Sequence, residues 1–304
     1  MAASLDARRP LPASLRAVLE REFATAARRL AQAEGWKLDD RVEGVHEFRR
    51  SVKRLRAAVA LAAGEVGERE AKAVDKALSA AARRLGALRD AHARLAAAQR
   101  LVRLLPRSLR ALAMDGWRAA GGAVTEAAAE PGEEAVHRLV KASAAEMESV
   151  RARVRDWRLE AMRPRMVLDA AAVAWGRARD RFRASWRGRD AEWLHGARKR
   201  AQRCAGMLVL VRSWDARRLR ACERRLRRAA GLLGEARDAE LMLERLPEPA
   251  EAHPLREAVR RLRSTAHRHA QRCLREARRE GVAALREGRR AFRRRLREGI
   301  RAKG

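Results

Sequence analysis

Val45-His46-Glu47-Phe48-Arg49-Arg50-Ser51-Val52-Lys53-Arg54 is the stretch that decides how this chain folds. Wound as a helix at 100° per residue, it places His46, Arg49, Arg50 and Lys53 within about 100° of one another. Phe48, Val52, Leu55 and Val59 fall on the opposite side. One face is apolar and suits a core. The other is a cationic stripe with a histidine in it.

The stretch has an echo 149 residues on, in Leu194-His195-Gly196-Ala197-Arg198-Lys199-Arg200-Ala201-Gln202-Arg203. There His195, Arg198, Lys199 and Gln202 share the stripe, and Ala197, Ala201, Cys204, Leu208 and Val211 lie across from it. A second pair follows in the same order. Leu85-Gly86-Ala87-Leu88-Arg89-Asp90 is answered by Leu233-Gly234-Glu235-Ala236-Arg237-Asp238, 148 residues later. Preserved order and spacing mark an internal repeat, so the chain reads as two similar helical halves, 10–155 and 160–300, within one domain of 10–300.

The helix after each copy carries a stripe as well. Lys72, Lys76 and Arg83 align over a core side of Val74, Leu78 and Leu85. Arg220, Arg224 and Arg227 align, flanked by Arg217 and Arg228, over Cys222, Leu226 and Leu233. Arg28 and Arg177 form a third pair at the same 149-residue offset. A solvated helix face usually mixes signs to gain i,i+4 pairs. These stripes read as nearly all positive, which costs repulsion unless an anion binds. Asp90 and Asp238 fall close to them and are expected to tie helix ends through salt bridges.

Beyond these stretches Ala, Arg, Leu and Glu dominate, apolar residues recur every three or four positions, and alternating β-branched runs are missing. The class is all-α. Breaks are expected at Pro10–Pro12, Gly64–Gly67, Pro106, Gly121–Gly122, Pro131–Gly132, Arg163–Pro164, Gly188, Pro247–Pro249 and Pro254. The segment Leu285 to Lys303, with nine cations and two acids, reads as a basic amphipathic helix. Phe292, Leu296 and Ile300 give it a narrow seam suited to closing the second bundle.

The 304 residues include 71 Lys plus Arg against 39 Asp plus Glu, a net charge of +32. Residues 1–150 hold 27 cations and 20 acids, net +7; residues 151–304 hold 44 and 19, net +25. With 47% hydrophobic residues the chain has a core and is no disordered polycation. Such a charge calls for a polyanionic partner: nucleic acid, an anionic membrane surface or inorganic polyphosphate. The arginine fork suits phosphate oxygens. Base stacking would interleave aromatics with the cations, and the stripes contain none.

Other classes are excluded or disfavoured. No apolar run is long enough to span a membrane, and the N-terminus lacks a signal-peptide core. Cys204, Cys222 and Cys273 form no CxxC pair, which suits a reducing cytoplasm and argues against structural zinc. Neither His46 nor His195 has an acid or a second histidine at i+3 or i+4, His267 and His269 point to different sides of a helix, and His92, His137 and His253 have no constellation. Neither metal nor cofactor is expected. P-loop, GxSxG, HExxH and an alternating Glu-x-Glu-x-Lys strand are absent, so no enzyme is indicated. Metal-dependent phosphoryl transfer would have only Asp90 and Asp238 beside the stripes.

The doubled His-x-x-Arg-(Arg/Lys)-x-x-(Lys/Gln)-Arg, each copy followed by Leu-Gly-x-x-Arg-Asp, resembles the CHAD family, the conserved histidine α-helical domain. The resemblance covers nearly the whole chain. It implies two helical-bundle halves related by pseudo-twofold symmetry, with a basic cavity between or across them. It also implies non-catalytic binding of inorganic polyphosphate in the cytoplasm, in association with polyphosphate granules. Residue by residue, it carries binding onto His46, Arg49, Arg50, Lys53 and Arg54, onto His195, Arg198, Lys199 and Arg203, and further out onto Lys76, Arg224 and Arg227. Lys72, Arg83 and Arg220 join them on the stripes. Departures are Gln202 where the family usually has a cation, Ser79 where the second half has Arg227, and Gly196, Ala205 and Gly206 where bulkier or charged residues stand. Non-specific nucleic-acid binding is the alternative, and a metal-dependent polyphosphate-processing enzyme a further one.

Overall fold

The computed structural model describes residues 4–6, 8–35, 38–119, 132–184, 186, 190–246 and 255–301, without the side chains of 38–39, 87–94 and 245. Among the described residues there are eleven α-helices and no strand, so the chain is all-α. They are α1 (Leu11–Ala33), α2 (Leu38–Val66), α3 (Glu68–Arg84), α4 (Gly86–Arg103), α5 (Arg107–Trp117), α6 (Glu133–Arg155), α7 (Pro164–Arg183), α8 (Ala191–Leu210), α9 (Ala216–Arg245), α10 (Arg256–Ala284) and α11 (Arg289–Arg301).

Helix starts follow the punctuation of the sequence. Pro10 caps α1, Pro106 caps α5, and Pro164 occupies the first turn of α7, where a missing N–H leaves no bond unmade. Gly67 reverses the chain between α2 and α3 at φ +89°, a conformation that a side chain disfavours. The breaks expected at Gly121–Gly122, Pro131, Gly188, Pro247–Pro249 and Pro254 lie outside the described residues, as does His253. The two Leu-Gly copies differ: α3 ends at Arg84 and α4 starts at Gly86, whereas Leu233–Gly234 runs through the middle of the unbroken α9.

The expected core faces are buried. Phe48, Val52, Leu55 and Val59 of α2 are at most 1% exposed, as are Ala197, Ala201, Cys204, Leu208 and Val211 near α8. Two apolar clusters result. The larger joins α1, α2, α3, α6, α7 and α8 to the start of α9, the end of α10 and α11. The smaller joins α4 and α5 to the later part of α9 and the earlier part of α10. Helices from both sequence halves therefore share both cores, and neither core belongs to one half.

The terminal segment is part of this packing. Phe292 stacks on Trp175 of α7 with centroids 4.1 Å apart and planes 9° from parallel. Trp175 Nε1 donates to the Glu287 carbonyl at 3.0 Å, and Arg295 reaches Asp215 at 2.5 Å. Helix α11 thus closes the bundle over α7, as its seam predicts. No helix among the described residues is long and apolar enough to cross a membrane.

Candidate phosphate-binding cleft

Helices α2, α3, α7 and α8 surround a cleft of about 860 Å³. Its floor is made of small or slender residues such as Ala60, Ala63, Ala170 and Ala174, which let the helices approach while leaving room. Its walls are cationic. Lys72 and Lys76 come from α3, Arg165, Arg177 and Arg181 from α7, and Lys199, Arg200 and Arg203 from α8. Against these eight cations stand three carboxylates, Glu68, Asp75 and Asp169, and no aromatic ring lines the space.

The carboxylates are already engaged. Asp75 accepts two bonds of 2.9 Å from the Arg56 guanidinium and lies 4.0 Å from Arg203. Glu68 accepts from Lys72 at 2.9 Å, which holds its carboxyl below the usual range. Asp169 is paired with Arg293 of α11. These acids brace the walls and still leave a surplus of positive charge facing the cleft.

Of the binding residues expected from the sequence, the cleft brings together Lys72, Lys76, Lys199 and Arg203. The others sit elsewhere. His46, Arg49, Arg50 and Lys53 occupy the N-terminal part of α2, with Arg50 bonded to Glu47 at 2.6 Å. Arg83 is exposed at the last turn of α3, and Arg220 and Arg224 are exposed on α9. Arg227, also on α9, donates from Nε to Glu223 Oε1 at 2.5 Å.

Arg54 is engaged inside the fold. Its Nε donates to Glu22 Oε2 at 2.7 Å and its Nη2 to Ser51 Oγ at 2.9 Å. Glu22 is 3% exposed, so this is an interior clamp between α1 and α2. The repeat-related arginines have diverged in use: Arg54 holds helices together and Arg203 lines the cleft. The stripes are also less purely positive than their reading suggests. Glu47, Glu68 and Glu223, three or four residues from Arg50, Lys72 and Arg227, supply the i,i+3 and i,i+4 pairs typical of solvated helices.

His195 and Arg198 point from α8 towards α9. The Arg198 guanidinium lies over Gly234, where an added Cβ would come within 3.0 Å of Cζ and Nη2. The glycine of the second Leu-Gly motif thus makes room for an arginine of the first motif. Burial, with Lys199, Arg198 and Arg237 nearby, pushes the His195 pKa below its ordinary value. Asp238 pairs with Arg100 of α4 at 3.4 Å, the helix tie expected of it, while the Asp90 side chain lies outside the described residues.

Four cleft cations escape the stripe analysis. Arg165, Asp169, Val173, Arg177 and Arg181 follow one another at i,i+4 along α7, a ladder visible in the sequence. Arg177 appears there only as a repeat partner of Arg28. Arg200 stands inside the quoted α8 stretch, one step off its stripe. Arg181 is held by the Trp193 ring, 4.9 Å from its guanidinium carbon.

The model of the CHAD domain family matches residues 21–205 and 174–303. The chain belongs to the CHAD family. A search of curated proteins finds no match to it. The first matched segment of this CHAD domain includes α2, α3, α7 and most of α8, and the second includes α8 and the C-terminal half of α7.

Proposed function

We propose that this CHAD domain binds inorganic polyphosphate without transforming it, and that the cleft between α2, α3, α7 and α8 is where the chain seats. The observation that carries the proposal is the set of eight cations converging from three helices on a space with no aromatic lining. Polyphosphate is a chain of charge without bases, so it gains from guanidinium and ammonium donors and nothing from ring faces. Membership of the CHAD family is consistent with this ligand. A cytoplasmic site of action, at polyphosphate granules, belongs to the same proposal.

The rival readings are less well supplied. Single-stranded nucleic acid would want aromatic platforms among the cations. A metal-dependent enzyme would want carboxylates free to hold Mg²⁺ beside the phosphates. Glu68, Asp75 and Asp169 stand at the cleft, and each is bonded to Lys72, Arg56 or Arg293. The test is parallel titration with long-chain polyphosphate and with duplex DNA of equal total charge, each over a series of salt concentrations. Tighter binding of polyphosphate at every salt concentration supports the proposal; equal affinity for both polymers refutes it.

A further inference from the structure

Away from the cleft, three donor atoms meet where α9 packs on α10. His269 Nε2 lies 3.4 Å from Glu235 Oε2 and 3.4 Å from Cys273 Sγ. Cys273 Sγ lies 3.9 Å from the same carboxylate oxygen. His269 and Cys273 are four residues apart, so one turn of α10 stacks them on one face, and Glu235 answers from α9. Cys273 is 2% exposed, His269 is half-buried, and Glu235 borders solvent.

Geometry separates two chemistries for this trio. In a nucleophilic triad the carboxylate holds one ring nitrogen and the nucleophile faces the other. Here carboxylate and thiol both face Nε2, while Nδ1 is approached by Arg272 Nη2 at 3.0 Å. Three donors aimed at one point form a coordination set. Tetrahedral zinc, with bonds of about 2.3 Å to sulfur and about 2.0–2.2 Å to nitrogen and oxygen, holds its donors roughly 3.4–3.6 Å apart. Two of the three separations already lie there, and a shift of a few tenths of an ångström closes the third.

We propose that Glu235, His269 and Cys273 bind a thiophilic divalent cation of the zinc class, with the fourth position open to solvent. One sulfur, one imidazole and one carboxylate favour such an ion over Mg²⁺ or Ca²⁺, which take oxygen donors. The thiolate and the carboxylate together neutralise its two charges. Burial and the Glu235 charge push the Cys273 thiol up to about 11, so the metal-free site carries S–H and metal entry releases that proton. With the metal on Nε2, Nδ1 carries the ring hydrogen, and the exposed Arg272 side chain moves aside. The ion clips α9 to α10 beside the smaller core. The cysteine count argues against zinc in the sequence because it looks for paired cysteines; the His-x-x-x-Cys spacing in α10 is the signal it passes over.

The test uses the full chain, reduced and washed free of polyphosphate, titrated with Co²⁺ alone. A thiolate-to-cobalt charge-transfer band that saturates at a single equivalent is expected. Cobalt entry releases one proton per site; the band disappears in Cys273→Ser, persists in Cys222→Ala, and is lost when Zn²⁺ displaces the cobalt, with no further proton released. His269→Gln and Glu235→Gln, conservative changes at positions that reach solvent, keep the helical content and weaken cobalt binding by at least about tenfold. Absence of the band overturns the proposal, as does an undiminished band in Cys273→Ser. If Cys273→Ser does not fold, unchanged cobalt affinity in both glutamine variants overturns it instead.

Discussion

Replacing Arg54 by methionine separates the structural from the ligand-binding use of the repeated motif. The substitution leaves Glu22, whose side chain is 4% exposed, without the guanidinium 2.7 Å away. Orphaning a buried partner of this kind costs about 3–5 kcal/mol. At this chain length that corresponds to a fall in Tm of roughly 6–10 °C. The converse variant, Glu22→Gln, costs less, about 1–2 kcal/mol, because Arg54 is 18% exposed and can turn its charge to water. The double variant Arg54→Met/Glu22→Leu removes both charges and returns to within about 1 kcal/mol of the parent. Urea denaturation of all four proteins, followed by circular dichroism and tryptophan fluorescence, measures the cycle. Polyphosphate affinity, read well below each Tm, stays unchanged in Arg54→Met. A loss of stability under about 1 kcal/mol in Arg54→Met, or a double variant as unstable as the sum of the singles, refutes the clamp.

Further outcomes follow from the same geometry. Gly234→Ala crowds only the flexible end of Arg198, which faces α9 and not the cleft, so polyphosphate affinity stays unchanged while stability stays the same or rises by about 0.5–1 kcal/mol, as titration and denaturation would show. His195 titrates below its ordinary range because of burial and the nearby Lys199, Arg198 and Arg237 charges, and a polyanion in the cleft offsets the charge of Lys199, which lines it. Binding therefore takes up a proton as pH falls through the ordinary histidine range, and affinity rises in that direction; calorimetry in buffers of differing ionisation enthalpy detects the uptake, which His195→Ala removes. The depressed pKa has the opposite sign for folding: the native state binds fewer protons at His195, so this term destabilises the fold as pH drops below the ordinary histidine value. Phe292→Ala, which deletes the buried ring stacked on Trp175, lowers stability by about 3–5 kcal/mol in thermal or urea unfolding.

Much of the fold is legible because helical periodicity is a local property. The apolar spacing of Phe48, Val52, Leu55 and Val59 picks out a buried face, and those four residues are buried. The same holds for Phe292 and Leu296 in α11. What periodicity cannot carry is which face meets which across the chain. Residues 98–117 pack with residues 236–273, so the cores cut across the two sequence halves. Arg54 and Arg203 occupy equivalent motif positions, yet only the first faces a buried acid on α1, a fact set by helix pairing. The α7 ladder of Arg165, Arg177 and Arg181 shows its importance only once α7 is set opposite Lys72 and Lys76 of α3. Glu235, near the middle of α9, gains significance only from His269 and Cys273, one helix away.

The central claim is that polyphosphate is bound by the converging cations of the cleft and not by general basicity. Two quadruple variants with the same loss of charge test it directly, each titrated with long-chain polyphosphate at fixed ionic strength. One replaces the cleft residues Lys76, Arg177, Lys199 and Arg203 by alanine; the other replaces the exposed Arg278, Arg279, Arg294 and Arg297 of α10 and α11. Charge-assisted hydrogen bonds contribute about 1.5–3 kcal/mol each, so the cleft variant should bind at least about a hundredfold more weakly, even with strong non-additivity. The other variant should lose less than about tenfold, through long-range charge alone. Equal weakening of the two folded variants would contradict the account.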